Sequence, residues 1–111
     1  RSVLYHVIEP DRWAAARAEG RSTNSTRGVD LAEEGFIHLS RADQVAGVLG
    51  RFYADVTDLL VLHVDETLLD DPVVDEEVGT APDGTPIVFP HLYGPLPVSA
   101  VVAVDEAVDW R

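Results

Sequence analysis

The chain contains no cysteine, no methionine and no lysine. Without cysteine there are no disulfides, no thiolate zinc sites and no cysteine nucleophiles. Without lysine there is no Schiff-base chemistry and no P-loop, and neither a Gly-rich phosphate loop nor a G-x-S-x-G elbow is present. Positive charge is scarce: eight basic residues, all arginine, face 20 acids, for a net charge of −12. The arginines form no run or stripe, so no nucleic-acid partner is expected. The same field disfavours polyanionic ligands unless a local arginine or a helix N-terminus overrides it. Many of the acids fall in Asp65-Glu66, Asp70-Asp71 and Asp75-Glu76-Glu77, which reads as a solvated face. No apolar run approaches the roughly 18 residues that span a bilayer, so no membrane partner is expected either. Arg1-Ser2-Val3-Leu4-Tyr5-His6 leads directly into a strand-like pattern, with no apolar signal core before it. The expectation is a cytoplasmic protein.

What remains is 111 residues, 46% of them hydrophobic, which predicts one domain over 1–111 with one core. Val3 to Ile8 reads as a buried strand, with Leu4, His6 and Ile8 on one face and Val3, Tyr5 and Val7 on the other. Pro10-Asp11 opens a helix anchored by Trp13 and stopped by Gly20. Residues 21–28 show no apolar period and read as a polar loop, either mobile or a lid. Asp30 to Glu34 predicts one helical turn ended by Gly35. Phe36 to Ser40 reads as a short strand. A helix from Arg41 to about Tyr53 follows, with Ser40 and Asp43 as its start signal and Val45, Val48, Leu49 and Phe52 as its apolar stripe. Further strands are expected at Leu59–Val64, Val73–Val78, Ile87–Phe89 and Val98–Val104, with a turn at Ala81-Pro82-Asp83-Gly84-Thr85-Pro86. Helices early and strands late predict an α+β fold: a small curved sheet, mixed or antiparallel, with two main helices.

Three segments concentrate the chemistry: Gly35-Phe36-Ile37-His38-Leu39-Ser40, Glu76-Glu77, and Phe89-Pro90-His91-Leu92-Tyr93-Gly94-Pro95. Each sets polar groups in apolar surroundings, where burial without a partner costs about 1–3 kcal/mol. Either a structural hydrogen-bond network or a ligand pocket accounts for that. Period-two geometry puts Phe36, His38 and Ser40 on one face, an aromatic wall with an imidazole and a hydroxyl. Ser40 reads first as a helix N-cap, a role compatible with a place in a site. His91 and Tyr93, two apart in a stiff segment, project together into a site or pack as a structural corner. Pro90 is a candidate cis proline, and Gly94 marks a positive φ or a close approach of another segment. Glu76, between Val74 and Val78, is the candidate general base or electrostatic stabiliser, whereas Glu77 reads as solvated. His6 is either a core histidine or a site residue, and His63 reads as a surface or charge-paired one. The histidines show no metal-ligand spacing.

Leu4-Tyr5-His6, Trp13, Asp30-Leu31, the Gly35–Ser40 segment with Gln44, Leu60-Val61-Leu62, Glu76 and the Phe89–Pro95 segment resemble the bacterial family called domain of unknown function 952. That family is distantly similar to the ADP-ribosyltransferase fold, a split curved sheet that binds NAD in a cleft. The resemblance implies His6 on the adenosine ribose, His38 or Ser40 beside the nicotinamide, and Phe36 or Tyr93 stacking. It implies Glu76 as the group that stabilises an oxocarbenium-like transition state or activates the acceptor. His38 and Glu76 are thus the candidate catalytic residues. His6, Phe36, Ser40, His91 and Tyr93 are the candidate ligand contacts, and NAD is the implied cofactor. The chain departs from that pattern in having no tyrosine at the second position, no arginine set for a pyrophosphate, and an extra histidine, His91. A second expectation stands beside this one: a non-catalytic ligand-binding or interaction module whose histidines form a structural network.

Overall fold

The computed structural model describes residues 2–111. Strand β1 (Val3–Ile8) leads into helix α1 (Pro10–Glu19), with Pro10 in its first turn. Gly20 ends α1 in the left-handed region at φ 86°, its N–H returning to the Ala16 carbonyl at 2.8 Å. An L side chain at that φ is strained, which is why glycine sits there. Short strands β2 (Arg21–Ser22), β3 (Asn24–Thr26) and β4 (Val29–Asp30) follow, then the single turn α2 (Leu31–Glu34). Asp30 caps α2 by accepting from the Ala32 N–H, while Glu33 accepts from the Asp30 N–H, both at 3.3 Å.

The rest is β5 (Ile37–His38), α3 (Val45–Phe52), β6 (Leu60–Asp65), β7 (Val73–Thr80), β8 (Pro86–Leu92), β9 (Leu96–Pro97) and β10 (Val101–Glu106). Two three-stranded antiparallel sheets form, in the orders β1-β6-β10 and β5-β8-β7. They are joined where Ser40 pairs with Tyr5, each backbone N–H meeting the other carbonyl at 2.8 Å. One apolar cluster holds Leu4, Ile8, Leu62 and Val64 of the first sheet with Ile37 and Leu92 of the second. Another packs Val45, Leu49 and Tyr53 of α3 and its end against Val7 and Val61 on the opposite face of the first sheet. Period-two alternation along β1 and β6 thus feeds two cores at once. Among the described residues no helix is long and apolar enough to cross a membrane.

Several expectations are corrected. The polar stretch 21–28 is strand as well as loop: β2 pairs with β9, β3 pairs with β4, and Ser22, Asn24 and Ser25 are buried. Its order comes from long-range backbone pairing, which leaves no apolar period. Only Ile37 and His38 of the Phe36–Ser40 segment are in β5, because the chain crosses there from β8 to β1. Ser40 is not an N-cap: the following helix opens as a 3-10 turn over Ala42–Gln44, with Gln44 Oε1 accepting from the Arg41 N–H at 2.9 Å. Val98–Ala100 is a 3-10 turn before β10. The segment from Phe89 continues β8 through Leu92, and among the described residues every peptide bond is trans, Pro90 included. Gly94 has no positive φ but is the predicted close approach, since a Cβ there would collide with the Asp71 side chain.

Candidate functional site

The β5-β8-β7 sheet has one face in the core, where Ile37 and Leu92 are fully buried. Its other face carries the chemistry. His38 pairs with His91 across β5 and β8, His91 pairs with Val74, and Glu76 pairs with Phe89 across β8 and β7. Cross-strand neighbours share a face, and long side chains reach the diagonal position, so Glu76 meets His91.

Glu76 Oε1 accepts from His91 Nδ1 at 2.8 Å and from the Tyr93 hydroxyl. Tyr93 first and His91 second hold the Glu76 carboxyl below its ordinary pKa, and the same bond holds the Tyr93 phenol above its own. An ionised carboxylate only accepts, so His91 Nδ1 carries the proton. In neutral His91 the other nitrogen, Nε2, is then a bare acceptor, and among the described residues it is buried without a partner. Phe36 stacks on His91, with ring centroids 3.9 Å apart and planes 16° apart. His38 meets the same two rings edge-on, its centroid 5.0 Å from each. Phe36, His38, Glu76, His91 and Tyr93 therefore form one contiguous group.

Beside it lies a shallow cleft, about 550 Å³ when the open solvent within it is counted, at the edge of β1 between the two sheets. His6, His38 and Ser40 line it, with Ser25 and Thr26 of β3. Val48, Phe52 and Tyr53 of α3 and its end form one apolar wall, and Val78 and Phe89 the other. Val78 occupies the cleft edge because a bulge between Glu77 and Gly79 leaves it unpaired. His6 Nδ1 donates to the His38 carbonyl at 2.8 Å, while its buried Nε2 completes no hydrogen bond among the described residues, although the Asn24 carbonyl lies close enough to the ring to act on it. Burial drives the His6 pKa down to about 4, against the opposing pull of the His38 and Asn24 carbonyls. The His38 pKa is lowered too, by burial and then by the adjacent His91, with Glu34 opposing. His38 has ring contacts but, among the described residues, no hydrogen bond to either nitrogen.

The structure thus brings His6, His38 and Ser40 to one cleft. It gathers Glu76, His91, Tyr93 and Phe36 into a network that touches the cleft through His38 and does not itself line it. Among the described residues no three His, Asp or Glu side chains are grouped to hold a metal ion. His63 faces an acid, its Nε2 lying 2.6 Å from Asp105 Oδ2, away from the cleft. Sequence reasoning missed Ser25, Thr26, Tyr53 and Val78 as cleft residues. Tyr53 carried the one usable signal, a phenol closing an amphipathic helix. The other three reach the cleft through pairings and a bulge that no local pattern announces.

The chain is similar to the protein CC0527 from Caulobacter crescentus. It is 30% identical to the crystallised protein over 95% of this chain and 85% of that one, with a TM-score of 0.73. A double mutant of CC0527 is 28% identical over the same shares, with a TM-score of 0.76. The solution structure is 31% identical over 94% and 83%, with a TM-score of 0.66. No curated protein matches the chain. A sequence model of the family described as "Protein of unknown function (DUF952)" matches residues 7–104, and the chain belongs to that family.

Proposed function

We propose that this chain is a small-ligand-binding domain whose cleft takes a flat, mainly apolar molecule of little negative charge, the size of a nicotinamide or a nucleobase. The carrying observation is His38, a cleft residue with two ring nitrogens and, among the described residues, no hydrogen bond to either. Mostly apolar walls with a few convergent polar groups are the usual make-up of such sites. Among the described residues lining the cleft there is no arginine, and the chain carries −12, so a pyrophosphate finds no counter-charge in it.

An ADP-ribosyltransferase-like activity is the second reading. Its support is that His6, His38 and Ser40, the positions implied for ribose and nicotinamide, share the cleft. Against it stands Glu76, whose nearer oxygen is already engaged by His91 and Tyr93 and which does not line the cleft. The test is a thermal-shift and amide-NMR titration with nicotinamide, adenosine, ADP-ribose and NAD. A ligand at 100 times its Kd stabilises by about 2.7 kcal/mol. Binding of nicotinamide or adenosine, lost in His38→Ala with folding intact, supports the leading reading. Preference for NAD, with its cleavage abolished in Glu76→Gln, moves the assignment to ADP-ribosyl transfer. No response to any of the four, with His38→Ala unfolding the chain, makes the histidines a structural network and overturns both.

A further inference from the structure

A second concavity lies on the other side of β3. It holds about 440 Å³, solvent included, between one face of α1 and strand β2. Arg12, Ala15, Ala16 and Glu19 recur at helical spacing along that face, and the two alanines leave room where a larger apolar residue would fill it. Arg21 of β2 and Asn24 of β3 complete the lining that matters here. Asn24 is only 4% exposed, and among the described residues neither its side-chain oxygen nor its side-chain nitrogen has a partner. A buried carboxamide with both ends unmatched is uncommon in folded proteins and calls for an occupant. Neither guanidinium has a side-chain hydrogen bond or an ion pair among the described residues. Two of the chain's eight arginines thus flank this hollow, against a single acid, Glu19.

We propose that this hollow is a binding site for a small organic anion that carries a donor beside an acceptor, as a carboxamide or the amino edge of adenine does. Both polar atoms of the Asn24 carboxamide are closed to water in this structure, so the side chain turns toward the hollow as the ligand seats and then matches that edge with two antiparallel hydrogen bonds, the geometry by which asparagine reads adenine. Arg12 and Arg21 take the carboxylate or phosphate, a planar fork on a planar or tetrahedral oxyanion. The site is independent of the cleft: Ser25 and Thr26 line the one, Ser22 to Asn24 the other.

The test uses the whole chain, labelled with nitrogen-15, titrated separately with adenosine monophosphate, N-acetylglutamine and inorganic phosphate while the Asn24 side-chain amide and the 19–24 backbone are followed. The expected result is saturable shifts there with one of the two organic anions, which also identifies the source of the edge. Affinity should fall roughly tenfold or more in Arg12→Gln/Arg21→Gln, whose exposed positions leave folding unchanged. Asn24→Asp places a like charge against the anion and should weaken binding similarly. Because Asn24 is buried, the arginine pair keeps the test valid if that variant unfolds. No shift with either organic anion overturns the proposal, as does binding that the arginine substitutions leave intact. Inorganic phosphate binding as tightly as the best organic anion overturns the role given to Asn24.

Discussion

His6 offers the sharpest quantitative test of how this domain is built. Its ring is 2% exposed, and burial lowers its pKa from 6.5 to about 4. The unfolded chain therefore takes up a proton at this residue before the folded chain does. A depressed folded pKa gives a contribution that is whole above pH 6.5 and is lost as pH falls toward 4. Linkage puts the loss at about 2 kcal/mol between pH 7 and pH 5, and about 3 kcal/mol by pH 4. Carboxylates titrate over the same range in a chain with 20 acids, so the wild type alone does not isolate the effect. The remedy is His6→Gln, which keeps a donor for the His38 carbonyl and removes the titration. Urea unfolding of both proteins from pH 7 to pH 5 should show the wild-type advantage shrinking by about 2 kcal/mol, since the shared carboxylates cancel in the difference. The His6 ring proton, followed by NMR, should titrate near the low value. A wild-type advantage constant with pH, or a His6 titration near 6.5, refutes the reasoning.

Leu62 is fully buried in the cluster that joins the two sheets, so Leu62→Ala should cost about 2–5 kcal/mol, read as a lower urea midpoint at unchanged slope. Gly94→Ala drives a Cβ into the Asp71 side chain and should cost roughly 1–3 kcal/mol, with Asp71→Ala recovering only part because the Asp71 Cβ is itself close. The Glu76 carboxyl, followed by carbon-13 NMR, should titrate below its ordinary value, and Tyr93→Phe should raise it. The sign follows from the lowered pKa: this network stabilises above the ordinary carboxyl pKa and is lost as pH falls through the folded one.

How much of this was legible depended on whether a residue's role was local. Pro10 and Gly20 bound α1, Gly35 ends α2, and Leu60 to Asp65 forms the central strand of its sheet, because each signal acts within a few residues. The face shared by Phe36 and His38 followed from strand period alone. The joint between the sheets did not, because it rests on Tyr5 and Ser40, 35 positions apart and bonded only through backbone. Stretch 21–28 misled for the same reason: Ser22, Asn24 and Ser25 are polar by type and buried by topology. Glu76, His91 and Tyr93 stand out by residue type in their local sequence, but their mutual hydrogen bonds depend on the register of β7 against β8, which no local pattern shows. That register also explains why Glu76 serves its neighbours and not the cleft.

On the proposed ligand-binding reading, the charge state of His38 decides what kind of recognition the cleft would perform. Burial and the adjacent His91 both oppose a proton on it, and Glu34, the opposing influence, is outweighed. Neutral imidazole presents one donor and one acceptor, and Ser40 adds a hydroxyl of the same dual character. A cleft so lined distinguishes ligands by shape and hydrogen bonding, because it has no net charge to offer. Its affinity for a neutral ligand should therefore change by no more than about twofold between 50 and 500 mM salt, where the screening length falls from roughly 14 to 4 Å. A site that held a pyrophosphate would lose affinity steeply over that range. A loss of tenfold or more for nicotinamide or adenosine would mean that an ionic contact carries the binding, and the reading built on His38 would fail.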